Sequence, residues 1–123
     1  MTRINLVPPE ILHRKHLVAE YRELPRVFSL ARLSAEIPPA YTLGKGHVTF
    51  FYNKLGFLAK RFELIVAEML RRGYKPAIPA DAMWHKSEMA GGTVPAMLYG
   101  SYQPTPEAIA LNVERIKQRQ PKE

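Results

Sequence analysis

Apolar residues along the chain fall into three helical stripes, separated by irregular stretches rich in proline and glycine. The clearest stripe is Leu55, Leu58, Phe62, Ile65 and Met69, spaced by threes and fours as one face of a 3.6-residue helix requires. Arg71 and Arg72 supply cations for its last turn and Gly73 a left-handed cap, while Thr49 and Asn53 are the candidate caps at its start. An earlier helix is predicted after Pro8-Pro9, over EILHRKHLVAEYREL, because proline is well tolerated at the first helical position. It offers Ile11, Leu12, Val18, Tyr21 and Leu24 for burial. Pro25 interrupts the pattern, so either the helix kinks there or a second one begins, continuing through Val27, Phe28 and Ala31 to about Leu33. Thr105-Pro106-Glu107 reads as an N-cap, a proline at N1 and a first-turn acid. The helix it opens is expected to reach about Arg119 with Ile109, Val113 and Ile116 facing inward.

The stretch YKPAIPADAMWHKSEMAGGTVPAMLYGSYQP between the last two helices is long for a structureless loop. It is therefore predicted to pack on the helices through Trp84, Met97, Leu98 and Tyr99. No strand pattern, repeat or low-complexity tract is present. At 123 residues the chain can bury one modest core. The expected fold is all-α: a single domain over residues 1–123, with three main helices, the first kinked at Pro25, and a long ordered loop before the last.

Composition narrows the chemistry. With no cysteine, disulfides and thiolate–metal sites are excluded. No apolar run approaches the roughly 20 residues that span a bilayer, and MTRINLVPPEILHRKH lacks the apolar core of a signal peptide. A cytoplasmic protein without membrane contact is the expectation. The net charge of +7 is unevenly spread: residues 1–75 hold 13 of the 18 Lys and Arg but 6 of the 11 Asp and Glu, and the remainder is neutral. One face meeting a polyanion would produce this, and so would a merely soluble basic protein.

On the first helix His16, Glu20 and Glu23 share a face at i, i+4 and i+7, beside a cationic edge of Arg22 and Arg26. A solvated, salt-bridged surface is one reading of this mixture. A metal site is another, since His13, His16 and Glu20 follow H-x-x-H-x-x-x-E. However, His13 and Glu20 lie two turns apart and no H-E-x-x-H motif occurs, so no metal is expected. Lys45, between Gly44 and Gly46, suits close approach to a phosphate. Lys54, Lys60 and Arg61 could extend an electrostatic track.

The terminus MTRINLV together with HLVAEYRELPRVF at 16–28 resembles the phage endonuclease V type of pyrimidine-dimer DNA glycosylases. The resemblance resumes over LGKGHVTFFYNKLGFLAKRFELIVAEMLRRGY at 43–74, with a weaker echo at YQPTPEAI, 102–109. It implies a small all-α enzyme that excises a damaged base and cleaves the strand at the resulting abasic sugar. In that family the nucleophile is the α-amino group exposed when methionine is removed, here that of Thr2. The resemblance makes Glu23 the essential carboxylate, Arg3, Arg22 and Arg26 phosphate-binding residues, and His16 a neighbour of the nucleophile. Lys45, His47, Lys54, Lys60 and Arg61 complete the expected DNA-binding set. The implied partner is double-stranded DNA containing damaged bases, met by a monomer near the nucleoid, with no cofactor.

Elementary chemistry supports the amine. Its reference pKa is about 7.7–8.0 against about 10.4 for lysine, so roughly a quarter is neutral and nucleophilic near pH 7.4. Neighbouring arginines push it further toward the neutral form. Two departures from the phage members stand out. The connection from Leu33 to Tyr41 is shorter, and no aromatic follows Tyr102 where those members carry a Trp- and Tyr-rich basic segment. Lesion recognition would then fall to Trp84, Tyr99 or Tyr102. Ring-opened purines or abasic sites as substrates, and a non-catalytic DNA-binding module, are the rival readings.

Overall fold

The computed structural model describes residues 4–119, which form an all-α fold without strands. Two long helices, α1 (Arg14–Leu30) and α2 (Leu55–Arg71), pack side by side, with a short α3 (Ala82–His85) on α2 and a final α4 (Pro106–Arg119). Tyr21 of α1 stacks on Phe62 of α2, with ring centroids 5.6 Å apart. All five residues of the α2 stripe are buried. Gly73 takes φ of 86°, and the amide of Tyr74 closes on the Met69 carbonyl at 2.9 Å, so the helix ends as its sequence dictates.

The start of α2 differs from expectation. Thr49 opens a 3-10 turn, Thr49–Phe51, and Lys54 is the N-cap, with no side-chain cap bond. A backbone carbonyl substitutes: Gly100 accepts from the Phe57 amide at 3.2 Å. This approach is close enough that a Cβ on Gly56 would sit 2.7 Å from the Tyr99 oxygen. The loop is thus stitched to the helix it must cover.

α1 also begins later than its proline signal suggests. Pro8-Pro9 starts only a 3-10 turn, Pro9–Ile11, after which Leu12 is extended and the helix restarts at Arg14. His13 caps it, Nδ1 accepting from the Lys15 amide at 3.0 Å. That break turns Ile11 out to solvent, against expectation. One helix then runs through Pro25 to Leu30 rather than two.

The connection between α2 and α4 is ordered by short helical turns at Ala82–His85, Glu88–Ala90 and Ala96–Leu98. Trp84 stacks on Tyr99 and donates from Nε1 to Glu63 at 3.0 Å, and Leu98 is buried. Met97 is instead 81% exposed. On α4 the Thr105 cap is as read, its hydroxyl accepting from the Ala108 amide at 3.1 Å. The inward line is Ala108 and Asn112, whereas Val113 and Ile116 are half-buried and Ile109 is exposed. The helix is rolled because its buried neighbour is a polar backbone, which Asn112 can satisfy and an aliphatic side chain cannot.

Candidate active site

The backbone in question is Ile4–Val7, which runs through the middle of the molecule and touches α1, α2, α4 and the 41–47 loop. Its polar groups are met by side chains from all of them. His47 Nε2 accepts from the Ile4 amide at 2.8 Å, and the Tyr41 hydroxyl donates to the Ile4 carbonyl at 3.3 Å. Glu20 accepts from the Asn5 amide at 3.4 Å and from the Asn5 side chain at 2.8 Å. Asn112 accepts from the Leu6 amide at 2.7 Å and donates to the Asn5 side-chain oxygen at 2.9 Å. Arg61 donates to the Val7 carbonyl at 2.6 Å.

Glu20 and Arg61 anchor this network. The guanidinium grips the carboxylate through Nε at 2.6 Å and Nη2 at 3.1 Å, with the two residues 2% and 5% exposed. Arg61 therefore faces inward and does not extend an electrostatic track toward DNA as its sequence position suggested. The reason is the Glu20 charge, which cannot be buried alone. His47 is likewise corrected: at 1% exposure, it accepts from Ile4 through Nε2, leaving Nδ1 to donate to the Thr42 carbonyl at 2.9 Å. It props the N-terminal segment and offers nothing to a phosphate.

Glu23 lies one turn beyond Glu20, at the edge between the buried face of α1 and its exposed cationic face. It is half-buried, and its Oε2 is enclosed with no hydrogen-bond partner among the described residues. An enclosed, unmatched carboxylate oxygen is costly to maintain and is available to a ligand. Arg22 and Arg26 stand exposed on the adjoining face. His16, on the same edge two turns before Glu23, lines a cleft of about 400 Å³ between α1 and α4. Burial holds its pKa below the usual histidine value, with the nearby Lys15 and His13 charges acting the same way and the Arg119 backbone opposing. That shift favours the neutral imidazole.

Among the other expected contacts, Lys45 is exposed between Gly44 and Gly46, which take φ of 76° and 87°, and Lys60 is exposed on α2. Lys54 is drawn inward. Its Nζ donates to the Phe50 carbonyl at 3.0 Å and to Asn53 at 2.9 Å, sits 3.9 Å from the Phe50 ring centroid, and has its pKa lowered by burial. Thr2 and Arg3 lie outside the described residues.

Two cations were missed in the sequence. Arg115 and Arg119 line the cleft opposite His16, and Arg115 Nε is enclosed without a partner among the described residues. Their spacing of four on α4 was the available signal, masked by the neutral net charge of that part of the chain.

The family model described as pyrimidine dimer DNA glycosylase matches residues 1–82. The chain belongs to that family. Membership of a DNA glycosylase family implies that the chain binds DNA. The matched range holds Ile4–Val7, α1 and α2, and so both Glu20 and Glu23. The glycosylase completes its cleft with α4, which lies beyond that range.

Proposed function

We propose that this chain excises ultraviolet-induced pyrimidine dimers by attack of the Thr2 α-amine on the sugar C1′, and then cleaves the strand. In the first step the amine lone pair forms the N–C1′ bond, while the glycosidic pair leaves with the base. Glu23 assists departure of the ring oxygen from C1′, giving an imine once the amine has lost its proton. Removal of a C2′ proton then expels the 3′ phosphate by β-elimination. Arg22, Arg26 and Arg3 hold phosphates next to the lesion.

The observation that carries this reading is the enclosed Glu23 oxygen, without a hydrogen-bond partner among the described residues, on the helix that Asn5 of the clamped N-terminal segment bonds. Asn5 is bonded to Glu20, and Glu23 is three residues further along α1, about 4.5 Å of helical rise.

Borohydride trapping on ultraviolet-irradiated duplex, followed by peptide mapping, tests the reading. A covalent adduct on Thr2 is expected. An adduct on abasic or oxidised duplex but not on irradiated duplex overturns the lesion assignment. An adduct on another residue, or active protein that retains Met1, overturns the nucleophile.

A further inference from the structure

We infer that Asn112 of α4 is a positioning residue for the reaction, locking the N-terminal segment so that its amine is presented to Glu23; this rests on the reading proposed above. Asn112 is 0% exposed, and both ends of its amide are spent on that segment, one on the Leu6 backbone and one on the Asn5 side chain. Asn5 passes the constraint to Glu20, and Glu20 to Arg61, which closes on Val7. The chain of bonds thus enters and leaves the same four residues. It fixes them against α1, the helix that carries Glu23.

Three features set Asn112 apart from an ordinary buried amide. Among the described residues it comes from the only long helix outside the family-matched range, so the segment depends on an element that the matched residues do not supply. It takes the inward position that an aliphatic side chain would otherwise fill, at the cost of apolar burial. Arg115 lies one turn further along the same helix, lining the cleft with His16 and Arg119. A single rigid helix therefore ties the position of the segment to the cationic wall of the cleft. Phosphate seated against Arg115 and the amine held through Asn112 share one frame.

Asn112→Ala and Asn112→Asp separate positioning from folding, because aspartate keeps an acceptor for the Leu6 amide but loses the donor to Asn5. Hydrogen exchange at the Asn5 and Leu6 amides, duplex affinity, and the single-turnover trapping rate per folded molecule are read on each. In Asn112→Ala we expect faster exchange at both amides than at the α2 core, unchanged duplex affinity, and a trapping rate about tenfold to a hundredfold lower. Asn112→Asp, which keeps the acceptor but buries a charge with no cation beside it, should release both amides at least as far as Asn112→Ala and lower the rate at least as much. Protected amides in Asn112→Ala, or an unchanged rate in protein whose amides are released, overturns the inference. If wild-type protein gives no adduct on Thr2, the proposed nucleophile fails, and the exchange measurement still decides whether Asn112 holds the segment.

Discussion

At the scale of single residues, two glutamates one turn apart have opposite fates. Glu20 has its oxygens matched by Arg61 and Asn5, and Glu23 keeps one oxygen enclosed and unmatched among the described residues. Glu23→Gln should therefore cut the strand-cleavage rate by roughly 10²–10⁴, the range of a lost acid–base group, with thermal stability retained. Duplex affinity should hold or rise, because a negative charge beside phosphates is gone. Single-turnover gel assays with a melting curve check all three. Nothing in the sequence distinguished these carboxylates physically. Both share a helical face with His16, and the partner that consumes Glu20 lies 41 residues away, invisible to local pattern. Arg61 and His47 were misread for the same reason, since a charged or polar residue defaults to the surface until its buried partner is known.

At the scale of elements, α2 was legible because five apolar residues repeat its period, and packing of that stripe on α1 outweighs any ambiguity at the ends. The start of α1 was not, because an N-terminal histidine cap and a 3-10 turn leave no apolar period to read. The end of α2 is also tied to the chain just before α1 by a charge knot. Glu68 pairs with Arg71 and Arg72, and Arg72 reaches across to the carbonyl of Leu12 at 2.8 Å. The two guanidiniums hold the Glu68 carboxyl at about 2, well below its ordinary value of 4.5. A depressed carboxyl stabilises the fold in full above the unfolded value and loses that contribution as pH falls toward the folded one. Stability should therefore drop between about pH 4.5 and 2, and Glu68→Gln should flatten that part of the profile in melting curves taken across this range.

At the scale of the whole molecule, the excess charge of the first 75 residues is not uniformly available to DNA. Arg22, Arg26, Lys45 and Lys60 are exposed, whereas Arg61 is buried and Lys54 is bound to Phe50 and Asn53. Arg26→Ala should reduce the slope of log affinity against log salt by about one, the signature of one lost phosphate contact. Arg61→Met should leave that slope unchanged and destabilise the fold by about 3–5 kcal/mol, since Glu20 is then buried without its partner. Affinity titrations across salt concentrations, with chemical denaturation, separate the two. The fold class was visible from periodicity. Which cations point outward was not, because orientation is set by contacts between distant parts of the chain.

The threading of Ile4–Val7 through the core has a consequence for the order of events at synthesis. The residues made first are packed by residues made much later: Tyr41, His47 and Arg61, and last Asn112, 106 positions beyond Leu6. The partners of this segment are complete only once nearly the whole chain has been made. The proposed reading also needs Met1 to be removed. A bulky tag fused ahead of Thr2 would leave a folded protein whose Thr2 nitrogen is held in a peptide bond.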